Sequence, residues 1–125
     1  TTICNSAPSE FLATIALKHS DVLLSRSKAI ILENIKLANM FFNKHDLFTA
    51  NQPTAGPIAF HKVNIDEPIE DYVVRLIEDI GVLLLGSNVY QLDEPYIRMG
   101  YGRKNFKENL QVLDDYLTNK KTKHA

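Results

Sequence analysis

The sequence predicts an α+β fold: a small, few-stranded sheet covered by helices, with a long helix preceding it. Three observations carry that expectation. Apolar residues recur at the helical period in four separate segments. Three short apolar or alternating stretches, Ile58–Val63, Val82–Leu85 and Tyr96–Tyr101, have strand length. Their order along the chain is helix, long helix, strand, helix, strand, strand, helix, which suits a thin sheet layered with helices.

The elements follow in order. Residues 1–5 are short and rich in β-formers. Ser6 precedes Ala7-Pro8-Ser9-Glu10, with proline in the first turn and an acid beside it, so a helix starts there. Phe11, Leu12, Ile15 and Ala16 form its stripe. Ser20-Asp21 interrupts that helix and offers a cap for a second, long one over about Val22 to Asn43. Leu24, Ile31, Ile35, Ala38 and Phe42 recur along it, flanked by Ile30, Leu32 and Phe41. So broad an apolar face is packed on more than one side.

Asn51 to Pro57 reads as a loop. After the strand Ile58–Val63, Asp66-Glu67-Pro68 caps a third helix with the stripe Ile69, Val73, Leu76, Ile77 and Ile80. Gly81 stands where a helix end wants a left-handed residue. Val82–Leu85 reads as a buried strand ended by Gly86-Ser87-Asn88. Asn105 to Glu108 resembles a capping box that opens a last helix with Phe106, Leu110, Leu113 and Leu117 on one face. Nothing in this order covers the first helix or the second face of the long one, and the simplest cover is another domain.

Composition narrows the function classes. The chain has 125 residues, 45% apolar and 23% charged, with a formal net charge of -1. No strong field draws it to nucleic acid or to an acidic membrane surface. Lys120, Lys121 and Lys123 form the only basic cluster and read as a solvated tail. The single cysteine, Cys4, excludes a disulfide framework and a multi-thiolate metal site and fits a reducing, cytoplasmic setting. No apolar run reaches membrane-span length, and no signal peptide opens the chain.

Four stretches, taken in order, resemble the C-terminal third of class I/II pyridoxal-phosphate (PLP)-dependent aminotransferases (fold type I). They are Ser6-Ala7-Pro8-Ser9-Glu10; Pro53-Thr54-Ala55-Gly56 with the strand Pro57-Ile58-Ala59-Phe60; Asp79 to Ser87; and Tyr96-Ile97-Arg98-Met99-Gly100-Tyr101-Gly102 with Asn105-Phe106 behind it. The likeness spans roughly residues 1–118. It departs from the family pattern at Leu85, where a proline often stands before the glycine near the substrate.

The resemblance implies that residues 1–20 are the tail end of a large domain and that residues 21–125 are the aminotransferase-like small domain. It implies amino transfer between an amino acid and a 2-oxo acid, with PLP bound by a large domain whose lysine, ring-nitrogen acid and phosphate cup precede residue 1. The chain alone is then expected to lack activity and to carry no catalytic residue. Its expected partners are that large domain, the substrate, and further copies in a homo-oligomer. A non-catalytic binding module on the same fold, and a PLP-dependent lyase or cyclising synthase, stay open beside this reading.

The resemblance also implies that Arg98 holds the substrate α-carboxylate. Strand alternation puts Ile97, Met99 and Tyr101 on one face, as core, and Arg98 on the other with Tyr96 and Gly100. A guanidinium donates two parallel hydrogen bonds to a carboxylate, which fixes its orientation. Gly100 leaves room for a ligand to approach. Spacing alone favours an arginine on the wet face of an edge strand, paired with Glu94 or Asp93, and it is the resemblance that reverses this preference.

Other motifs read as structural. Ser25-Arg26-Ser27-Lys28 imitates a cofactor-lysine or Ser-x-x-Lys motif, but Ala29-Ile30-Ile31-Leu32 continues a helix with no glycine-rich turn. His19, His45, His61 and His124 show no metal-ligand spacing. Asp66, Glu67, Glu70 and Asp71 crowd a helix N-terminus, where the dipole favours them.

Overall fold

The computed structural model describes residues 6–123. The β-rich opening stretch, Cys4, His124 and the side chains of Lys121 and Lys123 lie outside the described residues. Helix α1 spans Ala7–Lys18, with Pro8 in its first turn and no buried residue. Phe11, Leu12 and Leu17 are 67%, 64% and 74% exposed, so its apolar stripe is uncovered.

Helix α2 spans Ser20–Lys44. The break falls at His19, not at Ser20-Asp21, and no side chain caps α2. The reason is local: His19 leaves the helical region, at φ -110° and ψ 21°, yet its N–H still reaches the Ile15 and Ala16 carbonyls, both at 3.2 Å. Its carbonyl accepts from Leu23 at 3.2 Å, and the gap needs no cap. At about 1.5 Å per residue α2 is about 37 Å long. Only its second half meets the core, through Asn34, Ala38, Phe41 and Phe42. Leu24, expected on the apolar face, is exposed.

Four antiparallel strands form the sheet, in the order β1-β2-β4-β3. Strand β1 is Phe48–Thr49, β2 Ile58–Val63, β3 Leu85–Gly86 and β4 Tyr96–Gly100. The two-residue β1 is too short to show alternation and was not expected. Strands β2 and β4 match the sequence reading, paired with Ala59 opposite Met99 and His61 opposite Ile97 on the buried face. On the other face Phe60 stands opposite Arg98.

The expected strand Val82–Leu85 shrinks to Leu85–Gly86. Residues 82–84 come off the preceding helix before reaching β4, and pairing begins only at Leu85 opposite Arg98. Leu83 is 70% exposed. Ser87 then opens a short 3-10 helix, Ser87–Tyr90. Its buried hydroxyl donates to the Glu94 carbonyl (2.6 Å) and accepts from the Tyr96 N–H (3.1 Å), which returns the chain into β4.

Helix α3, Ile69–Ile80, has Pro68 at the cap position and no side-chain cap. The acids before it do not cap, because Glu67 instead accepts both Nη1 (2.6 Å) and Nη2 of Arg75. That pairing lowers the Glu67 pKa and raises that of Arg75. Tyr72 joins Ile69 and Leu76 in the core, while Ile77 is exposed. Gly81 ends α3 at φ 69°, donating to the Ile77 carbonyl at 2.9 Å, and the Val82 N–H reaches back to Leu76 at 3.3 Å. A Cβ at Gly81 would meet no atom within 4 Å, so the cost of Gly81→Ala is backbone strain alone. Gly81→Ala is expected to cost about 1 kcal/mol by chemical denaturation. A neutral result would mean the turn can leave the left-handed region.

Helix α4, Phe106–Lys123, buries Phe106, Leu113 and Leu117 on the face expected for it. With α2 and α3 it closes one core over the buried face of the sheet. This is the α+β arrangement the sequence predicts.

Candidate functional site

Strand β4 delivers Arg98 to the sheet face away from the core. Ile97, Met99 and Tyr101 are buried, and Arg98 is half-buried between Phe60 on β2 and Leu85 on β3. The strand is therefore interior, and the edge-strand alternative does not hold. Glu94 is also engaged elsewhere, 2.7 Å from Lys62 Nζ. Among the described residues the Arg98 guanidinium has no hydrogen-bond or ion-pair partner.

Because β3 stops at Leu85, β4 is unpaired on that side from Met99 onward. An open hollow of about 640 Å³ occupies this edge. Arg98, residues 81–85, Gly100, Gly102, Arg103 and the first turns of α4 line it. Its only charged lining residues are Arg98 and Arg103; the rest of the lining is mostly apolar. A Cβ at Gly100 or Gly102 would meet no atom within 4 Å, so the floor beside Arg98 is open, as the glycine at 100 suggested.

The hollow has neither a lysine for an internal linkage to PLP nor an acid for its ring nitrogen. These residues do not fit the cofactor itself. They fit an anion such as a carboxylate.

Asn34 of α2 fixes the loop after β4. Its side-chain amide donates to the Tyr101 carbonyl and to the Arg103 carbonyl, each at 2.8 Å. The Tyr101 N–H donates to the Pro57 carbonyl at 2.7 Å. Asn34 was not singled out in the sequence, although a polar residue one turn before Ala38, on a face that continues to Phe41 and Phe42, was the available signal. Asn34→Ala leaves two carbonyls without their partner and is expected to cost about 2 kcal/mol in chemical denaturation. A loss below about 0.5 kcal/mol would show that water replaces the amide.

Two buried histidines support this frame. Nδ1 of His61 accepts from the Asn51 N–H at 3.1 Å, so the neutral ring carries its proton on Nε2 and donates to the Tyr101 hydroxyl at 2.6 Å. Burial lowers its pKa to about 4 and raises that of Tyr101 to about 12. Nε2 of His45 lies 2.5 Å from Asp114, which Lys44 also holds at 2.7 Å. Burial pushes the Asp114 carboxyl upward, but these two hydrogen bonds outweigh it and the net shift is down. No group of three or more metal-ligating side chains occurs among the described residues. Ser25 and Ser27 bond back to the Asp21 and Leu23 carbonyls of α2, at 2.5 and 3.1 Å, so Ser25 to Lys28 is helix surface.

No protein-family model matches the chain, and no curated protein does. Solved structures do. A PLP-dependent aminotransferase from Streptococcus suis 89-1591 superposes with a TM-score of 0.83 at 26% identity, over 95% of this chain and 32% of its own. The PLP-dependent cyclase OrfR, solved in complex with Au, gives 0.82 at 22% identity, over 96% of this chain and 34% of its own. The fold is thus one found within PLP-dependent enzymes. The chain spans about a third of the length of either relative.

Proposed function

We propose that this chain is the small, substrate-clamping domain of a class I/II PLP-dependent aminotransferase, with Arg98 holding the substrate α-carboxylate. One observation carries the reading: a half-buried guanidinium with no partner among the described residues lines an open hollow in a fold that superposes on a PLP-dependent aminotransferase. Residues 1–20 belong with the large domain. The exposed stripe of α1 and of the first half of α2 supports this, since apolar helix faces of that size are built to be covered. PLP, if held by that large domain, would supply an electron sink for the substrate. Arg98 supplies orientation, holding the carboxylate so that the Cα–H bond faces the group that removes its proton. The protein works as a cytoplasmic homo-oligomer. No helix among the described residues is long and apolar enough to cross a membrane.

The test is an assay of the whole reading frame that contains this chain, scoring amino transfer from amino acids to 2-oxo acids. Transfer supports the reading. Elimination or ring closure without transfer would favour the lyase or cyclising alternative, to which the likeness to a PLP-dependent cyclase lends weight. A reading frame without an upstream PLP lysine would leave a binding module.

A further inference from the structure

Asn34 stands at a place in α2 where an apolar residue is the ordinary choice. It is buried on the face that continues through Ala38, Phe41 and Phe42. An amide taken out of water there costs stability unless its hydrogen bonds are made. Both of its N–H groups are used, one on the Tyr101 carbonyl and one on the Arg103 carbonyl. Carbonyls only accept, so the amide nitrogen must face them.

The two bonds differ in consequence. Tyr101 has two further anchors: its N–H on the Pro57 carbonyl at 2.7 Å, and its hydroxyl 2.6 Å from His61 Nε2. Arg103 lacks them. Among the described residues, its hydrogen bond to another element of the fold is the one from Asn34, 69 residues away. Strand β3 no longer flanks β4 from Met99 onward, and Gly102 adds backbone freedom between the two pinned carbonyls. Gly102 and Arg103 belong to the same lining as Arg98, whereas Asn34 does not reach the hollow. We infer that Asn34 is a positioning residue of the anion site: it holds residues 101–103 so that the hollow beside Arg98 is open and shaped before a carboxylate arrives. This deepens, and rests on, the assignment of Arg98 to the α-carboxylate. Such preorganisation raises affinity by taking an ordering cost out of the binding step.

The experiment is an NMR titration of this chain with butyrate, read on the resonances of the folded protein so that unfolded molecules do not count. Asn34→Ala is expected to weaken butyrate about tenfold, since ordering about one residue of backbone then falls on the ligand. Leu117→Ala is the control: it opens a cavity in the core outside the hollow, and should lower stability while leaving the affinity unchanged. Asn34→Asp keeps the shape of the side chain and removes its donors. Buried beside two carbonyls, the introduced carboxyl has a raised pKa and regains a proton to donate as pH falls. Its affinity for methanesulfonate, a monoanion throughout, should therefore recover between about pH 8 and about pH 5.5, where that of wild type stays flat. Weakening confined to the Asn34 variants, with that recovery, supports the inference. Weakening shared by Leu117→Ala, wild-type affinity in either Asn34 variant at the upper pH, or a flat profile for Asn34→Asp overturns it while the Arg98 reading stands. If Arg98→Gln leaves butyrate binding intact, or nothing binds, that reading falls and the inference with it.

Discussion

On the role proposed for Arg98, Arg98→Lys in the whole protein is expected to lower kcat/KM for an amino acid substrate about 10- to 100-fold. A point charge then replaces a planar fork, and one of two charge-assisted hydrogen bonds is lost, worth about 1.5–3 kcal/mol. The backbone offers no relief: β4 is interior, and pairing of position 98 with Phe60 on one side and Leu85 on the other fixes where the side chain starts. In that proposed role the carboxylate would be held in both the bound substrate and the transition state, so KM should rise, with a smaller fall in kcat from poorer alignment. An amine substrate without a carboxylate separates this from a folding defect, because its kinetics should hardly change. Unchanged kinetics with the natural amino acid would remove Arg98 from the site.

The second large effect is acid destabilisation through His61. The ring is 1% exposed, its Nδ1 already accepts the Asn51 N–H, and Phe42 packs against it at 4.2 Å. A proton on Nδ1 would set two donors face to face, in a site closed to water. The folded pKa of about 4 lies below the unfolded value of 6.5. Between these values the unfolded chain binds more protons, so stability falls as pH drops from 6.5 and levels off below about 4. The loss over that window is about 3 kcal/mol. Asp114, whose pKa is lowered, adds its own loss only as pH falls through the carboxylate range below 3.8. Urea denaturation of wild type and His61→Gln across pH 4–7 is the measurement. The variant, whatever its stability at neutral pH, should show a flatter curve, and parallel curves would refute the assignment.

Sequence reading succeeded where period and chemistry coincide. Strands β2 and β4, the core face of α4, most of that of α3 and the left-handed Gly81 were legible, because alternation, helical spacing and a required positive φ leave marks on single residues. It failed where side chains had a better partner than the local one. Glu67 reads as a cap yet goes to Arg75, two turns along α3. Residues 82–84 have the composition of a strand, but no neighbour lies beside them to pair with. Arg103 carried no mark beyond its charge, since its place at the hollow depends on where β3 happens to end.

By itself, then, the sequence determined the α+β class, the order of its main elements, the outward direction of Arg98 and the apolar stripe on α1. These follow from local propensity and from side-chain direction along a strand or helix. Only the tertiary structure decided that β4 is an interior strand, that Arg98 has no partner among the described residues, that Asn34 binds the loop after β4, and that Arg98 and Arg103 share a hollow. Each depends on groups far apart in the chain, such as Asn34 and Tyr101, 67 residues apart, meeting through packing that no local pattern encodes.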